Sequence, residues 1–131
     1  MIVVDTSAWV EFLRATGSPT NLAVRRALHA DNPLGVVDVV RLELLAGAGN
    51  DAAVVTVSRL LARGVALPTL SPADHEQAAH LYRAARRSGR TVRSLLDCLV
   101  AAVALRLDAP VLARDRDFEA LAAVSPLRLA V

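Results

Sequence analysis

Residues 94–118 read SLLDCLVAAVALRLDAPVLARDRDF, and their pattern decides the fold class. Ser94 opens a helix that runs to Leu107. Within it Cys98–Leu105 are eight consecutive apolar residues, so the helix is apolar nearly all round and must be buried. Pro110–Ala113 then reads as a short strand, and Asp115 starts a short helix. Working outward, the same alternation recurs. Ile2–Val4 is a β-branched strand ending at Asp5, followed by a helical stretch through Leu13. Ser18-Pro19 is a cap with proline at the first helical position, opening a helix to about Ala30. Leu34–Val37 reads as a strand, Asp38 as the cap of the helix carrying Glu43, and residues 52–63 as a helix stopped by Gly64. Val65–Leu67 is a further strand. Ser71-Pro72 with Asp74 marks a capped helix ending near Gly89, and Leu127–Leu129 reads as a last strand. Strands separated by helices imply a mostly parallel sheet covered on both faces, an α/β chain in three layers.

At 131 residues the length suits one domain, and no linker, repeat or low-complexity stretch divides 1–131. Hydrophobic residues make up 54% and aromatics only 3%, which implies a core of Val, Leu and Ala. All fifteen basic residues are arginine; the lack of lysine excludes a Walker A loop. Arginine forks onto phosphate or carboxylate, although a GC-rich coding bias also produces such a set. The lone Cys98 excludes an intrachain disulfide. The start, MIVVDTSAWVEF, lacks the basic region of a signal peptide, and the longest apolar run falls far short of the roughly 20 residues of a membrane span. A soluble cytoplasmic chain is expected.

The acids carry the chemistry. In parallel α/β sheets ligands sit at the C-terminal ends of strands, where Asp5, Asp115 and Asp117 fall. Glu43 and Asp97 lie within helices. Asp97 interrupts the most apolar helix, and a carboxylate there is costly unless something positive or hydrogen-bonding meets it. Each acid also has a plain structural reading. Ser94 and Asp97 fit an S-x-x-D capping box, Asp5 and Asp115 suit helix starts, and Glu43 could pair with Arg41 or Arg14. Several carboxylates sharing one cleft would repel by about 4 kcal/mol per pair at 4 Å and an effective dielectric near 20. They would then take up protons or bind a hard divalent cation, and an all-oxygen set selects Mg²⁺ or Mn²⁺. Such ions serve phosphodiester displacement.

Together the opening VVDTSAWVEFL, the VRLELLAGAG around Glu43, GRTVRSLLDCLVAAVAL and LARDRDFEAL resemble the PIN-domain family, and within it the VapC-type toxins of bacterial toxin–antitoxin pairs. The resemblance runs in order over nearly the whole chain. It implies a PIN-like α/β/α domain and a Mg²⁺- or Mn²⁺-dependent endoribonuclease that hydrolyses RNA with a metal-activated water. Asp5, Glu43, Asp97 and Asp115 would be the acidic metal-site residues and Asp117 a variable fifth. Thr6 or Ser7 would hydrogen-bond a metal water or the scissile phosphate. A homodimer and a cognate antitoxin protein filling the groove are also implied. Ala113 departs from the polar residue of many relatives, and Asp38 looks like an N-cap rather than a further ligand.

Arg83, Arg86, Arg87, Arg90 and Arg93 run without an intervening acid. They form a candidate RNA-binding strip beside Asp97, or simply a set of cations at a helix C-terminus. Arg114 and Arg116, between Asp115 and Asp117, either contact RNA or neutralise the acids. His75-Glu76 with His80 spaces its histidines i, i+5, about 140° apart around a helix, which excludes a zinc-protease pair. A phospho-acceptor α/β domain normally needs a lysine that is absent here. A PIN-like binding module without catalysis is the remaining alternative, disfavoured by the full set of acids.

Overall fold

The computed structural model describes residues 1–130. The elements run β1 (Ile2–Val4), α1 (Thr6–Leu13), α2 (Pro19–His29), β2 (Leu34–Val37), α3 (Asp38–Ala46) and α4 (Asp51–Leu61). They continue with β3 (Val65–Leu67), α5 (Ala73–Arg87), α6 (Leu95–Arg106), β4 (Val111–Leu112) and α7 (Asp117–Ala123). The four strands pair in parallel in the order β3-β2-β1-β4, and helices flank the sheet in the expected α/β/α arrangement. Parallel strands buried on both faces need apolar residues throughout rather than alternation. β2, LGVV, obeys this with all four residues buried.

Local chemistry starts several helices where the sequence places them. Ser18 accepts from the Asn21 N–H with Pro19 behind it, and Asn50 accepts from the Ala53 N–H. α6 is the central element: Asp97 to Ala104 is buried without a break. Its main packing partner is α5. At its far end Arg106 grips Asp74 at the start of α5, Nε at 3.0 Å from Oδ1 and Nη2 at 3.0 Å from Oδ2. Nη2 also donates to the Pro68 carbonyl. Burial alone would push the Asp74 carboxyl up. The Arg106 and Leu70 hydrogen bonds outweigh it and hold the group below the ordinary range.

Four local expectations change. Leu127–Leu129 forms no strand but a single bridge of Leu129 to Val111, because the chain touches the β4 edge only between Arg128 and Ala130. Asp38 is the first residue of α3 rather than its cap, which is Val37; its carboxylate accepts from the Thr69 N–H and hydroxyl as well as Val39 N–H. α5 starts after Pro72 without a side-chain cap, since Asp74 reaches back to the Leu70 N–H. The last helix starts at Asp117, not Asp115.

β1 is the first strand and lies in the middle of the sheet, with β2 on one side and β4 on the other. The chain leaving β1 goes on to β2 on one side and the chain leaving β4 returns beyond β4 on the other, which opens a crevice at the C-terminal ends of these two strands. Among the described residues no helix is long and apolar enough to cross a membrane.

Candidate active site

Asp5 follows β1 directly and caps α1. Its Oδ2 accepts from the Ser7 N–H at 3.0 Å and from the Ser7 hydroxyl at 2.7 Å, whereas Oδ1 is buried with no partner. Ser7 Oγ in turn accepts the N–H groups of Arg114 (2.9 Å) and Asp115 (3.3 Å). One hydroxyl thus orients Asp5 and pins the segment after β4 that carries Asp115. Thr6 donates to Glu43 Oε1 at 2.8 Å across 37 residues. The protons of both hydroxyls are therefore committed to carboxylates rather than left for a phosphate. Glu43 takes this bond in place of the Arg41 or Arg14 pairing considered for it, and neither arginine forms an ion pair among the described residues.

Asp97 lies in the first turn of α6 and is 6% exposed. Capping does not explain it. The Ser94 side chain makes no cap bond, and the Ser94 N–H, which a capping box would give to Asp97, goes to Asp117 Oδ2 at 3.1 Å. The same oxygen accepts the Arg93 N–H at 2.9 Å, and the Asp117 N–H is donated to Asp115 Oδ1 at 2.9 Å. Asp97 Oδ2 is left buried without a partner.

Carboxylate oxygens of Asp97, Asp115 and Asp117 lie within 4.8 Å of one another. Asp5 and Glu43 fall outside this tight group but act on it in sequence. Burial first, then the Asp5 charge, a hydrogen bond to Asp117 and the charges of Asp115 and Asp117 push the Asp97 carboxyl up to about 9. Burial raises Asp5, against the Ser7 and Thr6 hydrogen bonds that stabilise its charge and together with the repulsion of Glu43. Buried acids held in this state prefer protons to charge unless a cation joins them. Two orphaned buried oxygens and an all-carboxylate donor set fit a hard divalent ion such as Mg²⁺ or Mn²⁺. Cys98, one residue on, is fully buried with its thiol pushed up to about 12 by burial and by Asp97, which is the state of a packing residue.

The arginine strip occupies the last turns of α5 and the loop to α6. Gly89, at φ +78°, ends α5 in a Schellman motif: Arg90 N–H bonds the Ala85 carbonyl and Gly89 N–H the Arg86 carbonyl. Arg86 sits 5.6 Å from the Tyr82 ring centroid, and Arg87, Arg90 and Arg93 are exposed. Arg114 is committed to an ion pair with Glu11 on α1. Beside Glu43, a largely apolar groove of about 390 Å³ runs between α1, α3 and α4, lined in part by Thr6, Val10, Leu13 and Val57.

Sequence reasoning missed the Ser7 hub and the Asp117 clamp on the loop before α6. A serine two residues after a strand-end aspartate signals a local Asx-type bond; nothing local signals the bonds to residues 114 and 115.

The PIN domain family model matches residues 2–124. Ribonuclease VapC11 of Mycobacterium tuberculosis is 43% identical over 131 residues, covering 99% of this chain and 98% of its own. Among solved structures, VapBC2 from Rickettsia felis, bound to a DNA fragment from its promoter, superposes with a TM-score of 0.78 at 16% identity, covering 98% of this chain and 97% of the other. The sarcin-ricin-loop-cleaving toxin VapC20 of M. tuberculosis superposes with a TM-score of 0.70 at 25% identity, covering 98% and 99%.

Proposed function

This chain belongs to the PIN domain family, and on that premise we propose that it is the toxin of a type II toxin–antitoxin pair, an endoribonuclease dependent on Mg²⁺ or Mn²⁺. One observation carries the reading: two buried carboxylate oxygens without partners, Asp5 Oδ1 and Asp97 Oδ2, beside the tight group of Asp97, Asp115 and Asp117. The 43% identity to a named ribonuclease over the full chain supports RNA as substrate.

Asp5, Asp97 and Asp115 would hold the ion, with Glu43 beside Asp5 and Asp117 contributing the oxygen not used on the loop. When bound, a divalent ion stabilises negative charge on the phosphate and on the attacking water. The chain's own residues supply the rest. Ser7 fixes the Asp5 carboxylate and the backbone of residues 114–115, and Thr6 fixes Glu43. Burial excludes competing water from the oxygens of Asp5 and Asp97. Arg86, Arg87, Arg90 and Arg93 attract the RNA backbone, a sequence-independent contribution. With Arg114 held by Glu11, its expected RNA contact requires that pair to open. A cognate antitoxin would occupy the apolar groove beside Glu43, and a homodimer in the cytoplasm is the working form this reading expects. The whole of 1–131 would serve as the single nuclease domain.

The test is cleavage of end-labelled total RNA by the purified, antitoxin-free protein. Discrete fragments with Mg²⁺ or Mn²⁺ and none with EDTA are expected. Intact RNA under all three conditions would leave a binding module in place of a nuclease.

A further inference from the structure

A polar cavity of about 530 Å³ opens beside the acids, walled by Thr91 and Arg93 from the loop before α6 and by Asp115, Arg116 and Asp117 from the segment after β4. We propose that this cavity seats a backbone phosphate of the RNA next to the one being cut, held by the guanidinium groups of Arg93 and Arg116. The inference rests on the nuclease reading and adds a second anion site to it.

Both arginines are exposed, and neither forms a salt bridge among the described residues, although two aspartates share the cavity with them. Among the described residues only Arg106, Arg114 and Arg128 engage a carboxylate; what sets Arg93 and Arg116 apart is that they stay unpaired within a cavity that holds two aspartates. The main-chain segments that carry these two side chains are also fixed to each other. Asp117 Oδ2 accepts the N–H groups of Arg93 and Ser94, and Asp115 Oδ1 accepts the N–H of Asp117. The wall carrying Arg93 is thereby fixed to the wall carrying Arg116, and both are fixed to the acid cluster.

The chemistry of the cavity selects its ligand. No aromatic residue lines it, so it offers no surface for stacking a base. Two arginine forks and the Thr91 hydroxyl suit the oxygens of a phosphodiester. The two guanidinium charges offset those of Asp115 and Asp117 within the cavity, so the forks are open to a phosphate whether or not an ion is bound. The polynucleotide then lies across two unlike anion sites, one of acids with a cation and one of arginines. Phosphate contacts set register and carry no sequence information, so this subsite positions the strand without choosing the target. Asp117 acts here as a positioning residue, through the loop it clamps.

The experiment measures binding of a fluorescein-labelled random-sequence 20-nucleotide RNA by anisotropy, in Mg²⁺ and across a series of NaCl concentrations. Asp97→Asn is compared with Asp97→Asn/Arg93→Ala/Arg116→Ala and with Asp97→Asn/Arg25→Ala/Arg63→Ala. The last removes two exposed arginines away from the cavity, Arg25 on α2 and Arg63 just before β3. Loss of the cavity arginines is expected to weaken binding about tenfold or more and to flatten the slope of log K against log salt by about 0.7 for each phosphate no longer neutralised. The control pair is expected to change the slope little. Equal affinity and slope with and without Arg93 and Arg116 overturn the subsite, and so does an equal loss in the control, which would mark a diffuse field. Wild-type protein that leaves total RNA intact sinks the nuclease reading instead, so the two failures are told apart.

Discussion

Replacing Asp97 by Asn is expected to cripple RNA cleavage and, in the absence of divalent ions, to stabilise the protein. The carboxyl is pushed up to about 9 in the folded chain by burial and by its acidic neighbours, from an ordinary 3.8. Between those values the folded state keeps a proton that the unfolded chain releases, so stability is fully present below pH 3.8 and drains away as pH rises toward 9. Asn carries no charge to repel Asp5, Asp115 or Asp117. In EDTA at pH 8 the variant should melt about 5 °C or more above wild type, and the gap should shrink as pH falls to 5. Mn²⁺ should raise the melting temperature of the wild type and leave that of Asp97→Asn nearly unchanged. Activity should fall by about 10³-fold, the scale seen when one charge-stabilising group leaves a catalytic centre. A variant melting below wild type in EDTA at pH 8 would show that Asp97 holds the start of α6 together rather than straining it.

Asp117 should behave in the opposite way. Its Oδ2 accepts two main-chain N–H groups from the loop before α6, and Asp117→Ala leaves both without an acceptor. The cost is about 2 kcal/mol, or a fall of about 5–10 °C in melting temperature. Cleavage should be lost as well, since Arg93 and the start of α6 lose their anchor. Asp117→Asn retains an acceptor oxygen and should melt within about 3 °C of wild type. Equal melting of the Ala and Asn variants would mean that the loop does not depend on this carboxylate.

The sequence shows the architecture and most of the site, for identifiable reasons. Periodicity and β-branched runs report elements because their signals are local, and Asp5 at the end of β1 follows from strand geometry alone. Asp97 stands out because a carboxylate on so apolar a helix violates the cost of burying charge. What the sequence leaves open is who partners whom. Ser94 and Asp97 satisfy a capping pattern, yet an aspartate 23 residues on from Ser94 takes its N–H. Ser7 reaches residues 114 and 115, and Glu11 engages Arg114 across 103 positions. None of these pairings has a local signature. Leu127–Leu129 has the composition of a strand, but at the β4 edge it makes only one bridge, a tertiary limit on a local propensity. The last helix begins at Asp117 rather than Asp115, whose Oδ1 accepts the Asp117 N–H from just outside it.

Calorimetric titration of the antitoxin-free protein with Mn²⁺ at pH 7, in two buffers of different ionisation enthalpy, tests the metal site most directly. With the Asp97 carboxyl lifted to about 9, an ion entering the cluster must displace its proton. The expected result is saturable binding that releases about one proton per ion, lost in Asp97→Asn. Absence of saturable binding, or Mn²⁺ affinity in Asp97→Asn equal to that of wild type, would contradict the assignment of these acids as a divalent-cation site.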